Sequence, residues 1–137
     1  MKFSSHPNTS RLFFFIAVSV LIVGCDSGPN TATVTGVITL DGKPTADIVV
    51  QFSPTQGGRP AIGVTDAQGQ YKLRFTQNQD GCIPGSNLTQ FTANAVPGND
   101  LTQFLPKRYN EEARENPDMV VEVKKGKNTL NFNILSE

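Results

Sequence analysis

From Thr33 to the end of the chain, apolar and polar residues alternate with a period of two, and turn-forming residues interrupt the pattern every few positions. Side chains of an extended strand point alternately to opposite faces, so this pattern describes half-buried strands and not helices. Val34, Gly36, Ile38 and Leu40 share one face of a first strand, and Thr dominates the other. Asp41-Gly42-Lys43-Pro44 is a hairpin signal, because glycine tolerates the positive φ of the turn. Ile48, Val50 and Phe52 form a second inward face, and Pro54 to Pro60 is a breaker loop. Ile62 and Val64 predict a short third strand facing the core, closed by Asp66-Ala67-Gln68-Gly69. Tyr71, Leu73 and Phe75, interleaved with Lys72 and Arg74, give the clearest strand in the chain.

Beyond a polar loop at 77–87, Leu88 to Val96 is strand-like but alternates weakly. Pro97 to Pro117 is an irregular connection with one helical turn expected near Glu111 to Glu115. Met119, Val121 and Val123 face inward on a sixth strand, the lysine-rich 124–127 stretch turns the chain, and Leu130, Phe132 and Ile134 complete a seventh. The expectation is therefore an all-β domain: a seven-stranded antiparallel sandwich over residues 33–137. Its 12 Gly and 9 Pro suit such a turn-rich fold.

The first part of the chain is of another kind. Lys2 and Arg11 flank a polar start without acidic residues, and Leu12 to Val23 is apolar except for Ser19. As a helix this apolar run would extend about 18 Å, short of the roughly 30 Å of a bilayer core, but suited to the apolar region of a signal peptide. Ile22-Val23-Gly24-Cys25 resembles the bacterial lipobox. That resemblance implies cleavage between Gly24 and Cys25 and acylation of Cys25, whose thiol takes a diacylglyceryl group as a thioether. The alternative for Cys25 is a disulfide to Cys82. Basic start, apolar run and small–Cys boundary coincide, which favours lipidation. The chain then divides into a signal peptide (1–24), a lipidated cysteine and short tether (25–32) and a β-domain (33–137). Two or three acyl chains make such anchoring effectively permanent. Asp26 resembles an inner-membrane retention signal of enterobacterial lipoproteins, and the choice between cell membrane and outer membrane stays open. Either way the domain would face the periplasm or the exterior.

The whole chain has 12 Lys+Arg and 12 Asp+Glu. Removing residues 1–24 takes Lys2 and Arg11 with it, leaving ten basic residues against twelve acidic ones and a net charge of −2. Nothing in that balance points to nucleic acid. The sole histidine, His6, also leaves with the signal peptide, and most routes to acid–base or triad catalysis leave with it.

The turn motifs together resemble a carboxypeptidase regulatory-like, transthyretin-like domain. Gly36 to Pro44 followed by Val49-Val50-Gln51-Phe52 is similar to its opening, and Thr65 to Leu73 to its central hairpin. Asp80-Gly81-Cys82-Ile83-Pro84-Gly85, Pro106-Lys107-Arg108-Tyr109 and Gly126-Lys127-Asn128 are similar to its later signatures. The resemblance implies a Greek-key (prealbumin-like) sandwich used mostly as an accessory or structural module. One enzymatic branch of transthyretin-like proteins hydrolyses 5-hydroxyisourate through histidines, an arginine and a Tyr-Arg-Gly-Ser tail. This chain ends Asn133-Ile134-Leu135-Ser136-Glu137 and lacks that set.

Other candidate chemistry reads more simply as structure. Cys82 has no histidine to activate it, and the neighbouring Asp80 would raise its pKa. It reads as a thiol filling a small-residue position, with an intermolecular disulfide as the alternative. Glu111, Glu112, Glu115 and Asp118 read as solvated charge, not as a glycosidase pair. Asp66 and Asp80 read as turn residues, since calcium needs six to eight oxygens. No metal and no cofactor is implied. Asn87-Leu88-Thr89 fits a glycosylation sequon by accident. Lys107, Arg108 and Tyr109 are the candidate contacts for a ligand or partner, with Tyr109 otherwise tucked against the sandwich end. The leading expectation is a non-enzymatic envelope lipoprotein acting through protein contacts. The alternative is a carbohydrate- or small-ligand-binding lipoprotein.

Overall fold

The computed structural model describes residues 29–95, 97–98 and 105–137. The signal peptide over 1–24, the Gly24–Cys25 cleavage point and the acylation of Cys25 lie outside the described residues. What is described is all-β, two sheets with their apolar faces together.

The strands are β1 (Thr33–Leu40), β2 (Lys43–Pro44), β3 (Ile48–Pro54), β4 (Ala61–Val64), β5 (Gln70–Lys72) and β6 (Arg74–Thr76). They continue with β7 (Gln79–Asp80), β8 (Gly85–Ala93), β9 (Val120–Val123), β10 (Lys127–Thr129) and β11 (Phe132–Ile134). The first sheet is centred on β1, with β5 and β2 along one edge and β10 and β11 along the other. The second runs β7-β6-β4-β3-β8-β9. Between the sheets lie Val34, Ile38, Ile48, Val50, Phe52, Leu73, Phe91 and Ile134, all almost fully buried.

Three expectations need correction. Strand segments among the described residues outnumber the seven expected. The strand read across Tyr71–Phe75 is two: β5 pairs with β1 in the first sheet, while β6 pairs with β4 and β7 in the second. The chain changes sheet at Leu73, whose N–H bonds Val34 O while its carbonyl accepts from Gly81 N. Such crossings make the corners of a sandwich.

Nor is the fold wholly antiparallel. β10 and β11 both run parallel to β1, from Thr33↔Lys127 to Leu40↔Ile134. The 124–127 turn is not the tip of a hairpin within one sheet; it carries the chain from β9 in the second sheet to β10 in the first. The final strand thus enters beside β1 in the same direction.

The third correction concerns Ile62 and Val64. Both are 45% exposed on the outer face of β4, while Ala61 and Gly63 face inward. The chain crossing at Lys72–Leu73 leaves no room for larger groups there: a Cβ on Gly63 would sit 2.7 Å from Lys72 O.

Other local readings agree with the structure. Asp41 and Gly42 both have positive φ, 50° and 81°, as a two-residue type I′ turn requires. Asp66 Oδ1 accepts from Gln68 N and Gln70 N, each at 2.9 Å, which builds the turn into β5. Cys82 is buried in the core, with its backbone bridged to Ala32. The 3-10 turns Lys107–Tyr109, Ala113–Glu115 and Pro117–Met119 occupy the connection before β9. No helix among the described residues is long and apolar enough to cross a membrane.

Candidate functional site

Lys107, Arg108 and Tyr109 are held together on a 3-10 turn that follows Pro106, whose extended backbone sets the entry. Tyr109 packs edge-on against Phe91, with ring centroids 6.3 Å apart. Its hydroxyl accepts from Leu135 N at 3.2 Å. Arg108 lies over the Tyr109 ring, its guanidinium carbon 4.9 Å from the centroid, a cation–π placement. Arg108 Nη2 also donates to Leu135 O at 2.9 Å and to Glu137 O. Among the described residues, Lys107 pairs with Glu111, at 3.4 Å in an exposed i,i+4 pair. Tyr109 is thus tucked against the sandwich end, and Arg108 and Tyr109 together hold Leu135 and Glu137.

Two clefts border this turn. One of about 450 Å³ lies between β8 and the turn, lined by Phe91, Leu105, Pro106, Lys107, Asn110 and Glu111. The other, about 320 Å³, lies on the far side of Phe91 and is lined by Arg108, Tyr109, Asp118, Met119, Phe132 and Asn133. Both join an aromatic wall to one or two charges, a composition able to hold a small polar ligand.

The rest of the C-terminal latch was not foreseen. Asp41 accepts from Ser136 Oγ at 2.6 Å and Ser136 N at 3.0 Å. Those bonds, with a smaller attraction from Lys43, hold the Asp41 pKa below its ordinary value. The folded pKa is therefore below the unfolded one. The bond is complete above about pH 4 and is lost as pH falls through the folded value. An NMR titration should move the Ser136 amide together with the Asp41 carboxyl, with a midpoint below about pH 3.9. A midpoint at or above that value would remove the latch.

The remaining candidates are engaged in structure. Lys72 bonds Asp80, with Arg74 3.8 Å away, and these contacts lower the Asp80 pKa. Burial pushes the Cys82 thiol up to about 11, so it is almost wholly protonated at neutral pH and a poor nucleophile. Asn87 is completely buried, its amide donating to Ile83 O at 2.9 Å and Gly85 O at 3.0 Å, so the folded chain cannot present this sequon to a glycan. Glu111, Glu112, Glu115 and Asp118 are exposed. No group of three or more His, Cys, Asp or Glu able to hold a metal occurs among the described residues.

No protein-family model matches this chain, no curated protein matches it, and no solved structure matches its fold.

Proposed function

We propose that this chain is a non-enzymatic lipoprotein, anchored through acylated Cys25 after cleavage at Gly24, whose body is a structural or protein-interaction module of the cell envelope. The body would be a Greek-key sandwich of the carboxypeptidase regulatory-like, transthyretin-like kind. The single observation that carries this reading is Ile22-Val23-Gly24-Cys25 at the end of a short apolar run. The point where the chain joins the folded body supports it. Gln79 Nε2 donates to Pro29 O at 2.9 Å, and Thr31 Oγ1 donates to Asp80 O at 2.8 Å. Asp26, Ser27 and Gly28 lie between Cys25 and Pro29, the first described residue, a reach of about 14 Å at full extension.

A non-enzymatic role is further supported by the deeply placed Cys82 and by the engagement of Asp66 and Asp80 in turns and ion pairs. Partner contact would use a sheet edge, where unpaired backbone groups accept an added strand. β9 is such an edge, with Val120 44% exposed. A photo-crosslinker at position 120 of the full chain, used in intact cells, should capture the same envelope protein repeatedly. Absence of any recurrent neighbour would overturn the interaction role. The two clefts beside Tyr109 favour a second reading, in which the lipoprotein binds a carbohydrate or another small polar ligand. Retention of the full chain on a glycan array would decide for that reading.

A further inference from the structure

The termini of β1 give the sandwich a membrane end and a far end. Thr33 begins β1 next to the tether, and Leu40 ends it beside Ile134. Three features surround the Thr33 end. Thr33 N bonds Gly126 O at 2.8 Å, which brings the 124–127 corner there. The Ala32–Cys82 bridge brings the loop after β7. The 55–60 loop follows, since Thr55 N bonds Ser86 O at 3.0 Å and Gly58 abuts Ile83.

Charge is unevenly divided between the ends. Arg59, Lys124, Lys125 and Lys127 stand exposed on these loops, with Lys72 and Arg74 on the adjoining strands. Asp80 and Glu122 are the acidic residues of the same end among the described residues, six bases against two acids, and Asp26 of the tether adds one acid in sequence. The rest of the described chain has four bases against eight acids, among them Asp41, Asp66, Glu111 and Glu115. A near-neutral composition therefore hides a strong polarity along β1. Asp80 is occupied by Lys72 and Arg74, and no ion pair among the described residues engages Lys124, Lys125 or Lys127.

We infer that this basic end docks on the anionic phospholipid headgroups of the same bilayer that holds the acyl chains, so that the sandwich stands on the membrane with its acidic end outward. The inference rests on the lipoprotein reading for its geometry: a tether reaching at most about 14 Å lets these lysines come within the Debye length of about 8 Å, where headgroup charge is felt. Each lysine at such a surface strengthens the contact about fivefold, and three together about a hundredfold. The acyl chains set where the protein is, and the lysines set which way it faces.

The test uses the full chain reconstituted in vesicles, with Gln56→Cys in the exposed 55–60 loop carrying a fluorophore and the buried Cys82 left unlabelled. Quenching by headgroup-labelled lipid should be strong on vesicles containing about one-third phosphatidylglycerol and weak on pure phosphatidylcholine. It should fall on adding about 0.5 M NaCl, and should be lost in the triple variant K124Q/K125Q/K127Q. Equal quenching on both lipids, or no change in the triple variant, would overturn the docking. Flotation reads the anchor separately. A chain that floats with pure phosphatidylcholine in high salt has its acyl anchor. One that floats only with phosphatidylglycerol in low salt keeps the docking surface and refutes the anchor.

Discussion

Gly36→Ala is expected to destabilise the body by about 3 kcal/mol or more, at the upper end of what overpacking costs, and to lower its melting temperature by roughly 15 °C. The backbone φ is not the cause, since Gly36 is not among the positive-φ glycines. The cause is space. β10 and β11 are two pieces of one path along β1, interrupted at Leu130 and Asn131. At that break the Leu130 carbonyl turns toward β1, where a Cβ on Gly36 would sit 1.8 Å from the oxygen. The Tyr71 hydroxyl donates to that same oxygen at 2.7 Å, Leu130 N bonds Thr35 O at 2.9 Å, and Asn131 Oδ1 accepts from Val37 N at 2.9 Å. The backbone is held from several sides and cannot yield, so one methyl group must part the final strand from β1. Thermal melts of the two proteins check this. A loss below about 1 kcal/mol would show that the close approach is absent.

Phe91→Ala is expected to cost about 3–5 kcal/mol, the range for a buried phenylalanine. Phe91 is 1% exposed, and its ring centroid lies 5.0 Å from that of Phe132. It also supports Tyr109 and forms a wall of both clefts. Removing it joins the clefts and frees Tyr109, with loosening of the Leu135 contacts as a consequence. Denaturant midpoints give the stability change, and hydrogen exchange at the Leu135 amide reports the second effect. A small loss with an unchanged Leu135 amide would contradict the packing described here.

What the sequence made legible was local. Alternation at Ile48, Val50 and Phe52, and at Tyr71, Leu73 and Phe75, placed those side chains inward because a strand has only two faces. Asp41-Gly42 gave its turn because few residues accept two successive positive φ values. The partner of each strand was not legible. Alternation carries no direction, so the parallel pairing of β10 and β11 with β1 has no local signal. Tyr71, Leu73 and Phe75 stay buried while their backbone changes sheet, so the crossing leaves the pattern intact. Ile62 and Val64 misled because apolar residues need not face the core, and Gly63 was the better sign of a close approach.

At the candidate site, Tyr109 was legible as the aromatic of the Pro106-Lys107-Arg108-Tyr109 motif, while the turn that carries it was not. The partnership of Arg108 with Leu135 and Glu137, and of Asp41 with Ser136, joins residues far apart in sequence through exposed bonds that leave no periodic trace. The charge polarity was likewise hidden. Summed over the chain it vanishes, and only the strand order gathers Arg59, Lys72, Arg74 and the three lysines at one end.

The proposed lipid anchor at Cys25 is checked by mass spectrometry of the N-terminal peptide from chain extracted out of membranes. The expected peptide starts at Cys25, carries a diacylglyceryl thioether and lacks residues 1–24. A peptide that begins at Met1, or a Cys25 sulfur bearing no lipid, would contradict it.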